Sequence, residues 1–377
     1  MTELYRSVDV AVIGAGASGL ALGYSLSALG LEAMRDYLII DDHRAAGATW
    51  QHGWEWATVD GSLRAGEIAD LPGQRELGLA FEGFDADARA CDVIPEVWTK
   101  YEDAYGLFVA HGVRALRVDE HRRNPELRIT VAMPGGERRV IEAGVVVNAT
   151  GSWSRPFMPW YPGVDDFAGA QLHMYRVSSL DELAGRRVLV VGAGRSAVAS
   201  LLELERLGAQ TVWSTLRGPQ FEDPPQLGLR RRRVRVGDLG LRRRQRLERM
   251  VERGNWLPSD ASVRAVPLTR AVYAAQLRGV LASRGPLVRF ESDAVVLADG
   301  SREPIDAVVW ATGGREATGH LRPLGLRDVG GSVKVRAGWS RRDPRVGFLT
   351  YGPGLSATES LDRAVALAES AIERVSD

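Results

Sequence analysis

Thiols are almost missing from this chain: Cys91 is the one cysteine in 377 residues. A disulfide framework within the chain is therefore excluded, and so is a Cys-x-x-Cys redox pair. This removes disulfide-reductase chemistry in its usual build. Six scattered histidines and one cysteine offer no metal-ligand spacing, so no metal is expected. An excess of charge is missing too. Lys and Arg number 48, Asp and Glu 48, and the formal net charge is zero. No global field then favours nucleic acid or an anionic membrane. Lysine occurs only at Lys100 and Lys334, so the basic charge is nearly all arginine, which reads as a coding bias. Long apolar runs are scarce. Val10–Leu29 is the one candidate span; Glu3, Arg6 and Asp9 precede it, and Gly14 and Gly16 divide it. It is read as neither a signal peptide nor a membrane helix, and the expected location is cytoplasmic. What remains is the composition of an ordinary globular chain, 45% hydrophobic and 25% charged, long enough for two or three domains.

Against these absences, one design is present twice. Val8–Gly19 reads VDVAVIGAGASG and Arg187–Ala197 reads RVLVVGAGRSA. Each is an apolar strand entering G-x-G-x-x-G/A and then a helical pattern, the local sequence of a dinucleotide-binding βαβ unit. Gly14 and Gly192 permit the tight turn. Gly16 and Gly194 remove a side chain where backbone approaches a pyrophosphate. Gly19 and Ala197 let the helix pack on the strand. Ser18 and Ser196 lie in the same helix starts, where unsatisfied N–H groups and the helix dipole favour an anion. Two such units imply two dinucleotides with electrons passing between them.

The rest of the chain repeats around these turns. The first unit runs from strand Val8–Ile13 through a helix of about Ser18–Leu29, capped at Gly30, to strand Tyr37–Ile40. Asp41 follows, near the spacing of an acid that bonds a ribose hydroxyl, with Asp42 as the fallback. Trp50, Trp54 and Trp56 form either the wall of a flat-ring pocket or plain core packing. Pro95–Gly112 reads as helical. Strands Leu127–Met133 and Arg138–Ile141 flank Pro134-Gly135-Gly136, and a separate strand Gly144–Asn148 leads to Ala149-Thr150-Gly151. Late in the chain Val288–Phe290, Ala294–Leu297 and Ala307–Trp310 lead to Ala311-Thr312-Gly313. The pattern of βαβ, meander and Ala-Thr-Gly thus occurs twice, the second copy inserted in the first. The expected fold class is α/β: two Rossmann-like dinucleotide-binding domains, each with a β-meander. The first covers 1–176 and 306–377, and the second 177–305.

Here the chain resembles the class B flavin monooxygenases, the group of flavin-containing, N-hydroxylating and Baeyer–Villiger enzymes. Their fingerprint F-x-G-x-x-x-H-x-x-x-aromatic is matched by Phe167, Gly169 and His173, with Val177 at the aromatic position and Tyr175 two residues early. Ala149–Pro156 matches Ala-Thr-Gly-x-x-x-x-Pro, and Gly47-Ala-Thr-Trp50 stands for the usual Gly-Gly-x-Trp. The resemblance implies FAD on the first unit and a nicotinamide dinucleotide on the second. It also implies a small organic substrate and molecular oxygen, joined through the C4a position of the flavin. The Asn-bearing segment that supports oxygen activation in flavin-containing monooxygenases has no counterpart near Thr58–Gly61.

Strand Gln210–Ser214 ends without an acid, and Arg217 follows. An arginine there accommodates a 2′-phosphate, and Arg195 adds positive charge near the same phosphates, so NADPH is expected over NADH. Ser356-Ala-Thr-Glu359 is a capping box; in the resembled fold this helix points its N-terminus at the pyrimidine edge of the flavin. Arg230–Arg253 is dense in arginine and reads as a solvated helix-loop insertion, with a role in binding nucleic acid or an acidic surface, or as a lid over NADPH, as the lesser alternative. The expected cofactor contacts are thus Gly14, Gly16, Ser18, Gly19, Asp41, Trp50, Thr150, Gly151, Gly192, Gly194, Arg195, Ser196, Ala197, Arg217, Thr312, Gly313 and Ser356. No side-chain general base is identified; His52 and His173 are candidates by neighbourhood and fingerprint alone. The expected activity is an FAD-dependent, NADPH-consuming monooxygenase. An NADPH-dependent flavin reductase and a non-catalytic flavin-binding sensor are the alternatives.

Overall fold

The computed structural model describes residues 7–120, 126–222, 245–255, 264–329, 331–352 and 356–376. Strand Ser7–Ile13 is buried from Val10 onward, as a parallel strand covered on both faces must be. It pairs in parallel with Tyr37–Asp41 on one side and Arg138–Asn148 on the other. Ala110–His111 and Val346–Phe348 continue this sheet in the same sense. The hairpin Arg114–Glu120 with Leu127–Ala132 pairs antiparallel to the first half of Arg138–Asn148. The two strands expected at 138–141 and 144–148 are therefore one. Gly144 does not break it, because the glycine is a close approach: a Cβ there would lie 3.0 Å from the Asp9 carbonyl oxygen. The expected helix at 95–112 is also shifted, to Ala90–Tyr105. Gly106, left-handed at φ 57°, ends it, and Pro95 is accommodated early in the helix.

The second unit is a parallel sheet in the order Ala170–His173, Ala307–Trp310, Arg187–Val191, Gln210–Ser214. An antiparallel sheet of Leu287–Phe290, Ala294–Leu297 and Arg302–Pro304 packs with it through Leu189, Val191, Val308 and Trp310. The fold is α/β with two Rossmann-like units, the second inserted in the first. The sheets divide the chain elsewhere than at 176/177 and 305/306. Ala170–His173 and Ala307–Trp310, assigned above to the FAD-binding part, both belong to the second sheet, and Ala307–Trp310 lies inside it. An apolar run before Ala-Thr-Gly marks a strand that closes a nucleotide-binding unit. Which unit it closes depends on its partners, not on its own pattern.

Two segments cross between the units, and they are bonded to each other. Phe157 N donates to Gly313 O at 2.9 Å, Arg315 N to Arg155 O at 2.8 Å, and Ala317 N to Gly151 O at 2.9 Å. Gly314 sits in this antiparallel crossing, where a Cβ would lie 2.4 Å from Ser152 O and 2.9 Å from Arg155 O. Trp54 adds a pin. It leaves the first unit, joins the second unit's core, and its Nε1 donates to Met174 O at 2.8 Å.

Gly314→Ala is expected to destabilise the chain by about 1–3 kcal/mol, because overpacked backbone must move. Gly83→Ala, with open space at the Cβ position and no positive φ, is the control. Thermal melts of both variants check this: Gly314→Ala melts lower than wild type, and Gly83→Ala melts with it.

Candidate active site

Both glycine turns are held by the same contact. A Cβ on Gly14, at φ 110°, would lie 2.6 Å from Ala149 O; a Cβ on Gly192, at φ 138°, would lie 2.3 Å from Ala311 O. In each unit the crossing Ala-Thr-Gly segment runs under the turn. Ala149 N donates to Ile13 O at 2.8 Å, and Ala311 N to Val191 O at 2.9 Å. Gly14 N bonds Ile40 O and Gly192 N bonds Ser214 O, at 2.8 and 3.0 Å. Gly19 has no room either, with Gly14 O at 1.9 Å from a built Cβ. Gly16 differs: nothing lies within 4 Å of its Cβ position. The helix Ala17–Ala28 that it caps carries no side-chain cap bond. Open space at a helix N-terminus with free N–H groups fits a pyrophosphate. Gly194 likewise caps Arg195–Arg206 without a side-chain bond.

The flanking residues have definite places. Ser18 and Ala197 are buried on the inner faces of their helices, and Ser196 is half-buried beside Ala197. Asp41 is buried. Its Oδ2 accepts from Ala15 N at 2.6 Å, and its Oδ1 from His43 N and His43 Nδ1, both at 2.8 Å. A carboxylate has about four acceptor positions, so one remains for a ribose hydroxyl. Burial pushes the Asp41 carboxyl up, and the His43 ring, the Ala15 N–H and the His43 N–H outweigh it, leaving it below the ordinary value. The Asp41 carboxylate in turn raises His43 against the effect of burial. The threonines of both Ala-Thr-Gly segments serve the crossing. Thr150 Oγ1 donates to Ala317 O at 2.9 Å, and Thr312 Oγ1 donates to Phe157 O. Gly151 and Gly313 follow in left-handed conformation at φ 59° and 69°.

Arg195 is expected above near the dinucleotide phosphates, but its Nη1 donates to Ala65 O in the first unit. Arg217 is exposed in the turn after Gln210–Ser214. Ser356 and Glu359 form the capping box: Ser356 N donates to Glu359 Oε2 at 2.8 Å, and Glu359 N to Ser356 Oγ at 3.2 Å. Trp50 packs half-buried on the first core, while Trp54 and Trp56 stack at 5.8 Å and 2° against the second. For Trp54, core packing is the arrangement found. His173 is buried with both ring nitrogens engaged. Its Nε2 donates to Gly313 O at 3.1 Å, and its Nδ1 accepts from Tyr175 N at 3.0 Å. Burial lowers its pKa, so it is a neutral strut of the crossing. His52 is exposed and lines a cavity of about 680 Å³ with Glu55, Arg89, Trp153, Tyr175 and Arg176. Of the Arg-rich stretch, 230–244 lies outside the described residues. Val251 packs on the first unit's core, so this part of the insertion is not simply solvated. Sequence reasoning misses Glu67, which lies near Arg195 and Arg264. It also misses Glu316, whose Oε1 accepts from Gly352 N at 2.9 Å. Neither residue sits in a motif.

The sequence profile of one family, pyridine nucleotide-disulphide oxidoreductase, matches residues 8–346. The chain belongs to that family. Indole-3-pyruvate monooxygenase YUCCA1 of Oryza sativa subsp. japonica is 31% identical over 206 residues, which is 53% of this chain and 45% of the relative. The FAD-containing monooxygenase EthA of Mycolicibacterium smegmatis is 25% identical over 234 residues, 59% of this chain and 43% of the relative. The chain thus spans just under half the length of these curated relatives. A flavin-containing monooxygenase from Stenotrophomonas maltophilia is 28% identical with TM-score 0.75, and the match covers 98% of this chain and 99% of that one. The family's description names a pyridine nucleotide, and the Mycolicibacterium relative is described as FAD-containing. Cys91 remains the one thiol, so dithiol exchange within the chain is not part of this member. No helix among the described residues is long and apolar enough to cross a membrane.

Gly16→Glu is expected to fold, because the Cβ position is open, and to lose flavin, because its carboxylate enters the anion's space. Flavin absorbance per protein and the melting temperature of the flavin-free form check this; full flavin occupancy in the variant would contradict it. His43→Gln carries the pH prediction. The folded-state pKa of His43 is raised, so its stabilisation is full below about pH 6.5 and fades as pH rises through the raised value. The melting temperature lost in the variant is therefore larger near pH 5.5 than near pH 9, and an equal loss at both contradicts the pairing.

Proposed function

We propose that this chain is an FAD-dependent, NADPH-consuming monooxygenase acting on a small organic molecule with molecular oxygen. One observation carries the reading: two anion-ready glycine turns stand on two Ala-Thr-Gly segments that are hydrogen-bonded to each other. A sensor that only holds flavin needs no second turn. The full-length likeness to a flavin-containing monooxygenase supports it further.

FAD, when bound, supplies hydride acceptance and oxygen activation; the chain's tasks are binding, orientation and exclusion of water. The open space at Gly16 takes the FAD pyrophosphate, and Asp41 offers its remaining acceptor position to the ribose. The helix N-terminus at Ser356 would favour negative charge on the flavin ring. Gly192, Gly194, Ser196 and Ala197 present the NADPH pyrophosphate to the second helix. Arg217, exposed in the turn after Gln210–Ser214, would meet the 2′-phosphate. His173 has no ring nitrogen to spare for proton transfer, since both are engaged.

A second reading, an NADPH-dependent reductase without oxygen insertion, draws on the segment after Trp50. Thr58 there caps the helix Val59–Arg64, its Oγ1 accepting from Gly61 N at 3.1 Å, and the segment Thr58–Gly61 holds no asparagine. Rapid mixing of NADPH-reduced protein with oxygen separates the two. The monooxygenase reading expects reoxidation through a long-lived absorbance distinct from both reduced and oxidised flavin. Immediate return of oxidised flavin with stoichiometric hydrogen peroxide, across amines, sulfides and ketones, selects the reductase. Arg217→Ala is expected to shift the NADPH-to-NADH preference by about tenfold, the worth of one charge-assisted contact. Reduction kinetics with both donors check it, and an unchanged ratio moves the phosphate contact elsewhere.

A further inference from the structure

Arg195 is the first residue of helix Arg195–Arg206, directly after the capping Gly194. Its backbone stands where the second dinucleotide's pyrophosphate belongs. Its side chain does not stay in that unit. Nη1 donates to Ala65 O in the first unit, and the Cβ position of Gly66 lies 3.9 Å from the same nitrogen. Glu67, next along, feels both the Arg195 and the Arg264 guanidinium; burial raises its carboxyl and those two charges oppose the rise. Gly66 O in turn faces Ala357 N at 3.5 Å, the first residue of the C-terminal helix after its Ser356 cap. One side chain thereby ties the second glycine turn to residues 65–67, and through them to the helix end assigned to the flavin.

We propose that Arg195 is a positioning residue that exchanges partners: it holds the Ala65 carbonyl when the second turn is empty, and a dinucleotide phosphate when it is filled. The proposal rests on the second turn being the NADPH site. The exchange follows from charge. A guanidinium that donates to a neutral carbonyl gains when offered a phosphate, because the anion adds charge–charge attraction and can accept two parallel N–H···O bonds. Residues 65–67 lose the Arg195 tie as the nucleotide docks. Nucleotide arrival is thereby reported at the start of the C-terminal helix. A ligand shifts such an equilibrium only through a difference in contact between the two states, and the phosphate supplies that difference. Glu67 acts through Arg195, as the group that competes with the phosphate for it.

The test uses the FAD-loaded full chain with NADP⁺ as a redox-inert probe, followed by flavin difference spectra and by amide exchange over residues 63–70. In wild type, NADP⁺ is expected to speed exchange in that segment. Arg195→Ala is expected to weaken NADP⁺ by roughly tenfold, with the segment already fast and no longer responsive. Arg195→Lys restores part of both. Glu67→Gln is expected to tighten NADP⁺ by a few-fold, since it removes the competitor. A merely structural contact predicts weaker binding for both Arg195→Ala and Glu67→Gln. Weakened or unchanged affinity in Glu67→Gln, or exchange that ignores NADP⁺ in wild type, overturns the proposal. Wild type that binds no NADP⁺ with full flavin occupancy overturns the dinucleotide assignment itself, and the exchange of partners falls with it.

Discussion

Two backbone carbonyls, Ala149 O and Ala311 O, decide the geometry of this molecule. Each presses on a glycine, Gly14 or Gly192, so closely that no side chain could intervene. The glycine's positive φ turns the chain from strand into helix, and the helix start is left bare of any side-chain cap. The tight contact therefore creates the open one: the turn is locked underneath so that N–H groups face outward above. Anion binding at a helix N-terminus needs this combination of rigidity and vacancy.

The same segments also couple the two sites. After Ala149 and Ala311 the chain crosses between units twice, and the crossings pair with each other through Gly151, Arg155, Phe157, Gly313, Arg315 and Ala317. Hydroxyls that a motif reader assigns to cofactor, Thr150 and Thr312, instead close this pairing. His173 and Trp54 reinforce it from the second sheet and from the first unit's loop. Hydride transfer requires reacting atoms within about 3–3.5 Å. A paired crossing that continues from the segments under both glycine turns ties those two turns together, as the proposed transfer needs. Arg195, reaching from one turn to Ala65 of the other unit, is a tie of a different kind, held by a single side chain.

Much of this was legible in the residues. Glycine turns, the Gly30 stop, the capping box at Ser356 and the repeated Ala-Thr-Gly each depend on local backbone rules, and each lies where the pattern indicated. Partner choice was not legible. Ala307–Trp310 looks the same whichever sheet receives it, and Gly144 looks like a break although it marks a close approach to Asp9. Polar side chains were harder still. His173 fits a family fingerprint, yet its two hydrogen bonds are set by residues 140 apart in sequence and by its own turn. Glu67 and Glu316 carry no pattern at all; only three-dimensional packing brings them to Arg195 and Gly352.

The central claim is that two dinucleotide sites face each other across one paired crossing. Anaerobic single-turnover mixing of the flavin-loaded chain with NADPH tests it most directly, using NADPH with and without deuterium at the transferred position. Bleaching of the flavin in one turnover, slowed by the deuterium, is the predicted result. Flavin that stays oxidised while NADPH and NADH each bind at saturation would contradict the claim.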